Sequence, residues 1–494
     1  MVRFINNTLI LFFLIMVTSS SNATDFRPPA TPLITIDPYT SCWSFDDRLY
    51  DDWPKHWTGS EHQMCGMIRV DGVTMRFMGG EITPTRTAHQ TSLNIRPTQS
   101  IYTFTCGSVD LTVTFTSPLL LSDLELLSRP ASYITFTVQS NDGNKHEVDI
   151  YLDVSSQWAV TDEQQLVVWD RQSMNGLDIM RIGTEYQGIL GRQGDNVRID
   201  WGYALVAVQS SLSETVIADA EKVRSSFSLT GKIMKDDDSD MPRGVNDRMP
   251  VMASILNPGV VGTKPVERHI IVGYDDIYSI EYFYRRLAPW WRRNGDATSE
   301  SMLNEAERDY KTVIQRCEQF DSLLLSEATK LGGAEYAQLC ALVYRQTIAA
   351  HKLVADTDGK PLFFSKENFS NGCIGTVDVT FPSAPLFLIY NPNFVKGMLE
   401  PIFYYRESGR YQLPYAPHDV GQYPRANGQR FPMEGMPVEE CGNMILLTTA
   451  ITYVEEDASY AREHWEVLTE WAHYLKEKGF DPENQYCTDD FAGH

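Results

Sequence analysis

The sequence contains 494 residues, of which 43% are hydrophobic and 11% aromatic, so the chain has ample material for large cores and is not a disordered protein. At about 150 residues per domain, this length predicts two to four domains. The formal net charge of -23 argues against nucleic acid or an anionic membrane as a partner, because binding to those surfaces needs clustered Lys and Arg.

The first residues have the features of an export signal. Arg3 precedes the apolar run Leu9–Val17, and Ser21 and Ala23 supply the small residues of a cleavage site. The run is too short for a membrane-spanning helix, which needs about 20 apolar residues. We therefore expect residues 1–23 to be a cleaved signal peptide. The mature protein is then secreted, periplasmic or displayed at the cell surface, without a membrane anchor.

The eight cysteines are scattered, with no CxxC spacing, which predicts neither a disulfide scaffold nor a zinc site. The sequence also lacks GxSxG, Walker, GxGxxG and HExxH motifs. Nucleophile-elbow hydrolysis, phosphoryl transfer, dinucleotide chemistry and zincin chemistry are therefore disfavoured. We predict no metal and no cofactor, and the remaining candidates for chemistry are carboxylates.

The first two regions of the mature chain are predicted to be rich in β-strands. Residues 24–83 contain Pro-rich segments with several tryptophans and a hairpin whose strands meet at Asp71-Gly72, which indicates an aromatic-anchored arm and hairpin. Residues 84–274 alternate apolar and polar positions in many short segments separated by turns, a pattern typical of an antiparallel β-sandwich.

From residue 275 to 494 the apolar period changes to three and four residues, which predicts helices. The first is expected at 277–293, and residues 357–385 are expected to be irregular. About six helices in successive hairpins indicate part of an (α/α)6 toroid, in which loops at one end line the active site. The predicted fold is therefore multidomain, a β-sandwich followed by an all-α region that is a partial (α/α)6 toroid.

Residues 414–443 are the strongest candidate for a functional loop, because this polar segment, interrupted by prolines and glycines, lies between apolar helices. Met436-Pro437 marks the first turn of a helix that carries Glu439 and Glu440. Paired carboxylates with separated pKa values suit general acid–base hydrolysis. An isolated Glu-Glu pair more often only caps a helix; His418 and Asp419 upstream shift the interpretation towards chemistry.

Four segments resemble signature segments of the bacterial and fungal glutaminase A family: residues 371–388, PYAPHDVGQYP, MPVEECGNM and CTDDFAGH. The resemblance covers nearly the whole mature chain. It implies a secreted hydrolase that converts L-glutamine to L-glutamate and ammonia. The same resemblance implies that the helical region is similar to the six-hairpin glycosidases. Family members continue beyond this point and only half of a ring is counted here, so we expect a downstream segment of the same gene product to complete the catalytic unit.

Within these blocks, any two carboxylates that face each other across a cleft can divide acid and base roles on an attacking water. The candidate catalytic residues are Glu439, Glu440, Asp419, Asp489 and Asp490. The candidate substrate-binding residues are His418, Asp378, Tyr415, Tyr423, Arg425 and Asn427.

The substrate is a small molecule in each enzymatic interpretation. Glutamine amide hydrolysis is the first hypothesis, because it is the activity that the resemblance implies. Glycoside hydrolysis with the same carboxylates is the alternative, favoured by a sandwich followed by a toroid. A non-catalytic glycan-binding surface protein is the third hypothesis, and intact ligand affinity without the carboxylates would favour it.

Overall fold

The structure is a computed structural model that describes residues 26–430 and 435–480. The predicted signal peptide, Asp489 and Asp490 lie outside these residues. Among the described helices, none combines the length and apolar character that crossing a membrane requires.

The N-terminal part is built almost entirely of strands. A two-stranded arm comes first, formed by β1 (Thr31–Thr35) and β2 (Ser41–Ser44). The strands that follow are β3 (Met64–Val70), β4 (Val73–Met78), β5 (Arg86–Thr87), β6 (His89–Ile95), β7 (Gln99–Cys106), β8 (Val109–Thr116), β9 (Ala131–Ser140), β10 (His146–Ser155), β11 (Leu166–Met174), β12 (Leu177–Thr184), β13 (Tyr203–Gln209), β14 (Ser213–Asp219), β15 (Arg243–Gly244), β16 (Pro250–Val261) and β17 (Val266–Asp275). Short helices α1 (Leu124–Ser128) and α2 (Ala220–Thr230) interrupt them.

These strands form two sheets. One has six strands in the order β14-β16-β10-β3-β4-β5, and the other has nine in the order β15-β11-β12-β13-β17-β9-β8-β7-β6. The hairpin β3-β4 pairs with β10, so it belongs to the same sheet as strands from the predicted sandwich region. Nearly all pairs are antiparallel, as the alternating pattern predicted.

Strand β8 shows why the segments fold this way. Val109, Leu111, Val113 and Phe115 are fully buried, and the polar residues between them lie on the other face. Period-two alternation is what a strand with one buried face requires. Each such side chain contributes roughly 1.5–3 kcal/mol on burial.

The C-terminal part is mainly helical. Its elements are β18 (Ile280–Tyr282), β19 (Arg285–Leu287), α3 (Ser299–Ala349), β20 (His351–Ala355), β21 (Pro361–Ser365), α4 (Val377–Tyr390), α5 (Asn393–Glu407), β22 (Arg425–Ala426), α6 (Pro437–Glu455), α7 (Ser459–Glu463) and α8 (Trp465–Lys478). The helix α3 is broken at Gly333, whose φ of 86° no helix accommodates. A β-sandwich followed by a helical-hairpin region confirms the predicted fold class.

The predicted helix at 277–293 is wrong. This segment forms the short hairpin β18-β19, and Phe283 and Tyr284 between the strands have positive φ values that end any helix. Strand β18 also pairs with β22 in the candidate functional loop. Tyr282 of β18 pairs with Ala426 of that loop, and local periodicity cannot show such a non-local contact.

The expectation of an irregular segment at 357–385 is also corrected. Strands β20 and β21 form a hairpin, and α4 begins at Val377 despite containing Pro382 and Pro385. A proline inside a helix removes the hydrogen bond to the carbonyl four residues earlier. Ala384 and Phe387 are fully buried, so tertiary packing outweighs the local penalty.

A buried ionic cluster joins the arm to the helical region. The Lys352 ammonium on β20 lies 2.6 Å from the Asp37 carboxylate of the arm and 2.8 Å from Asp276, which follows β17. All three side chains are less than a tenth exposed. Because one cation serves two buried anions, the relative positions of three chain segments depend on it.

Candidate active site

Two loop segments form the frame of the candidate site. The Ile374 amide donates to the Gly421 carbonyl, and the Val420 amide donates to the Ile374 carbonyl, so residues 372–374 and 420–423 lie side by side. The Val377 amide, at the start of α4, donates to the His418 carbonyl. The predicted loop is therefore irregular in shape but fixed by backbone hydrogen bonds.

Two helix N-termini meet at this frame. Asp378 lies in the first turn of α4 and Glu440 in the first turn of α6, and the two helices pack against each other. The positive end of a helix dipole stabilises a carboxylate by about 0.3–1 kcal/mol when it is exposed. The fold thus brings together two acids that are far apart in the sequence.

The His418 imidazole lies between the carboxyl groups of Asp378, Asp419 and Glu440. Its Nδ1 atom lies 2.8 Å from Asp419 Oδ2, and its Nε2 atom lies 3.7 Å from Asp378 Oδ2. Ligating atoms of Asp378, His418 and Glu440 all lie within 4.8 Å of one another. The imidazole therefore links carboxylates from the loop and from both helices.

The Asp419 carboxylate is held on two sides. Its Oδ1 atom accepts a hydrogen bond of 2.7 Å from the Gly421 amide, while Oδ2 faces His418. Burial would lower the pKa of His418, but the interactions with Asp378, Asp419 and Cys373 outweigh it and raise the pKa well above its ordinary value. The imidazole is consequently a cation at neutral pH.

Glu440 is the most enclosed acid of the group. Its side chain is 0% exposed, and neither carboxylate oxygen has a hydrogen-bond partner among the described residues. Burial raises its pKa well above the ordinary range; the charge of Asp378 adds to this shift, His418 opposes it and Glu439 contributes less. The raised pKa favours the protonated carboxyl group, which is the form that is able to donate a proton.

Cys373 also lies at the site, although sequence reasoning assigned it no role. Atoms of Cys373, His418 and Asp419 that are able to bind a metal lie within 4.8 Å of one another. Burial raises the pKa of the thiol to about 11, with His418 opposing and Asp419 reinforcing the shift. The only signal in the sequence was its position in the same family-like segment as Asp378.

Three predicted substrate-binding residues have side chains that contact the scaffold in this structure, and their predicted role stays a prediction. Tyr423 is 1% exposed and packs edge-on against Tyr39 in the core. The Arg425 Nε atom donates to the Leu190 carbonyl. The Asn427 amide group donates to Glu281, and its oxygen accepts from the Tyr284 amide.

Tyr415 and Glu439 are the remaining candidates among the described residues. Tyr415 is half-buried and its ring packs against those of Tyr411 and Tyr474. Glu439 is half-buried and is not part of the Asp378–His418–Glu440 group. The structure therefore assembles Asp378, His418, Asp419 and Glu440 from the predicted set, while Asp489 and Asp490 lie outside the described residues.

These residues form a candidate acid–base site in a helical-hairpin domain that follows a β-rich region. A family model described as "Glutaminase A six helical-hairpin domain" matches residues 333–494. Two domains of unknown function, DUF4964 and DUF5127, match residues 15–88 and 98–327.

Two curated relatives have names that agree with this family model. "Glutaminase A" of Aspergillus oryzae (strain ATCC 42149 / RIB 40) is 32% identical over 492 residues, which cover 96% of this chain and 70% of that protein. "Probable glutaminase/05536" of Arthroderma benhamiae is 26% identical and covers 98% of this chain and 66% of that protein. The chain belongs to the glutaminase A family, as its four segments predicted, and the relatives support a glutaminase-like enzyme.

Among solved structures, the "Putative kojibiose phosphorylase from human microbiome" aligns with 92% of this chain and 52% of its own, at a TM-score of 0.43 and 10% identity.

Proposed function

We propose that this protein hydrolyses the side-chain amide of L-glutamine to L-glutamate and ammonia. The observation that carries the proposal is the enclosed group of Asp378, His418 and Glu440, whose ligating atoms lie within 4.8 Å of one another in a member of the glutaminase A family. Two acids and a cation around one point suit amide hydrolysis by acid–base catalysis.

The proposed mechanism gives each group one role in the bond-making and bond-breaking steps. Asp378 accepts a proton from water as the water oxygen attacks the amide carbon. The His418 imidazolium, oriented by Asp419 at 2.8 Å, stabilises the negative charge that develops on the carbonyl oxygen. Glu440 then donates its proton to the nitrogen as the carbon–nitrogen bond breaks, and ammonia leaves. Transfer of the proton from Asp378 to Glu440 restores the starting state.

A glycosidase with these acids remains the alternative hypothesis. Inversion needs carboxyl groups about 6.5–9.5 Å apart, with space for a water between them. Oxygens of Asp378 and Glu440 come within 4.8 Å, so a glycosidase built on this pair would use the shorter spacing of retaining enzymes.

Ammonia release from L-glutamine, measured beside reducing-sugar release from a panel of glycans, tests the proposal. We expect ammonia from glutamine and no sugar release. Sugar release without ammonia would replace the glutaminase assignment with the glycosidase. Binding of a glycan without turnover of either substrate would favour the glycan-binding surface protein.

We also propose that the protein is exported and processed after Ala23, which the apolar run and small residues of the leader support. Mass spectrometry of exported material is expected to find Thr24 at the N-terminus. An intact leader on exported protein would contradict this proposal.

A further inference from the structure

Cys373, His418 and Asp419 form a second cluster on the loop side of the candidate site. Their ligating atoms lie within 4.8 Å of one another, and the side chains of His418 and Asp419 are about a tenth exposed. The proposed hydrolysis uses His418 and Asp419 but leaves the thiol without a role.

One interpretation of a thiol, an imidazole and a carboxylate is a nucleophilic triad. In such a triad the imidazole stands between the other two groups, with the carboxylate on one ring nitrogen and the nucleophile on the other. Here the Cys373 sulfur and an Asp419 oxygen approach each other within 4.8 Å, while Nδ1 of His418 already faces Asp419. This short sulfur–oxygen distance does not fit a triad, in which the imidazole separates the other two groups. The three groups instead surround one point.

Convergent donors of these three kinds match a borderline-soft divalent cation. Zn²⁺ binds thiolate, neutral imidazole and carboxylate, with bond lengths of about 2.0–2.3 Å, so its binding releases the protons that the Cys373 thiol and the His418 imidazole carry without it. Donors around a tetrahedral ion of that size are roughly 3.3–3.8 Å apart, so side-chain movements of about 1 Å close the cluster around it.

The backbone holds the donors in register. Cys373 forms an isolated β-bridge with Gln422, and the Tyr423 amide donates to the Gly372 carbonyl, so the thiol and the His-Asp pair project from paired segments.

We propose that Cys373, His418 and Asp419 bind Zn²⁺ or a cation of the same class, and that the bound cation inhibits the enzyme. Inhibition rests on the proposed function, because a cation at this position withdraws His418 and Asp419 from amide hydrolysis. Binding itself does not depend on the identity of the substrate.

Co²⁺ is the probe for binding, because a cobalt–thiolate bond gives a charge-transfer absorption band that carboxylate and imidazole ligands do not give. Reduced, chelator-treated and untagged protein is titrated with Co²⁺ and then with Zn²⁺. We expect the band to saturate at about one equivalent and to disappear as Zn²⁺ displaces Co²⁺.

The test variant is Cys373→Ser, and the matched control is Cys340→Ser, at a half-buried thiol on α3. We expect Cys373→Ser to lose the band and to weaken Zn²⁺ binding by more than about tenfold, since even outer-shell losses have effects of that size. Cys340→Ser is expected to bind Co²⁺ as the wild type does. A band that is absent from the wild type, or that persists in Cys373→Ser, would overturn the proposal.

Ammonia release in chelated buffer and in added Zn²⁺ is measured separately. Ammonia release that Zn²⁺ leaves unchanged at saturating occupancy overturns the inhibitory role. A cobalt band in a protein that releases no ammonia leaves the cation site standing and rejects the proposed function instead.

Discussion

The Nδ1 atom of His418 lies 2.8 Å from the Oδ2 atom of Asp419, its neighbour in the chain, and this contact fixes the orientation of the imidazole ring. The opposite ring nitrogen then faces Asp378 at 3.7 Å. A ring held in this way presents its second nitrogen to a substrate without reorganisation.

Asp419→Asn is expected to lower kcat for glutamine by about 10²-fold or more, because loss of the charged partner disturbs the orientation and the charge of the imidazole. The amide oxygen of asparagine keeps the hydrogen bond from Gly421, so folding is retained. Steady-state ammonia release and far-UV circular dichroism measure the two effects. Asp457→Asn, on an exposed helix start, is the control; equal activity of the two variants would remove Asp419 from the site.

Lys352→Met is expected to destabilise the protein by about 3–5 kcal/mol, because it leaves the carboxylates of Asp37 and Asp276 buried without their cation. The control is Lys396→Met, which removes a more exposed pair with Glu455 that contributes at most about 1 kcal/mol. Urea unfolding of both variants measures the difference. Similar losses would show that the buried cluster does not hold the arm.

Asp321 is expected to make stability depend on pH. Burial raises its pKa to about 7, against hydrogen bonds from Thr98 and the positive charges of Arg345 and Arg96. The folded state therefore binds the proton more tightly than the unfolded state. The stabilisation is complete below the ordinary pKa near 3.8 and is lost as the pH rises through about 7.

Asp321→Asn is expected to remove this dependence, since its amide oxygen accepts the same hydrogen bonds from Thr98. The difference in unfolding free energy between the variant and the wild type changes by up to about 1 kcal/mol per pH unit between pH 5 and 7. Asp358→Asn, on an exposed turn, is the control. A constant difference across this range would contradict the shifted pKa.

Strand and helix regions were predictable where burial follows a local period. The alternation in β8 specifies a strand by itself, whereas the aromatic segment around Phe283 has apolar spacings compatible with either state. Pro382 and Pro385 argue against α4 locally, and only packing of its buried face explains the helix. Both predictions were wrong because non-local packing determines the structure of these two segments.

The candidate site was predictable only in part, because only some of its residues have a local signal in the sequence. His418 and Asp419 are adjacent, and the Pro437 signal placed Glu440 at a helix N-terminus. The approach of α4 to α6, which brings Asp378 to Glu440, has no local signature. Cys373 was missed because its partners lie on a paired segment distant in the sequence, where no spacing rule applies.

The most direct test of the account compares Glu440→Gln with Glu439→Gln in ammonia release from L-glutamine. Both variants replace a carboxylate in the first turn of α6 with an amide of the same shape. They differ in that Glu440 is fully buried in the group around His418, whereas Glu439 is half-buried outside it.

We expect Glu440→Gln to lower kcat by about 10²-fold or more at unchanged folding, the usual effect of removing an acid–base group, and Glu439→Gln to retain activity within about threefold of the wild type. A folded Glu440→Gln protein that releases ammonia at the wild-type rate would contradict the proposed role of this site.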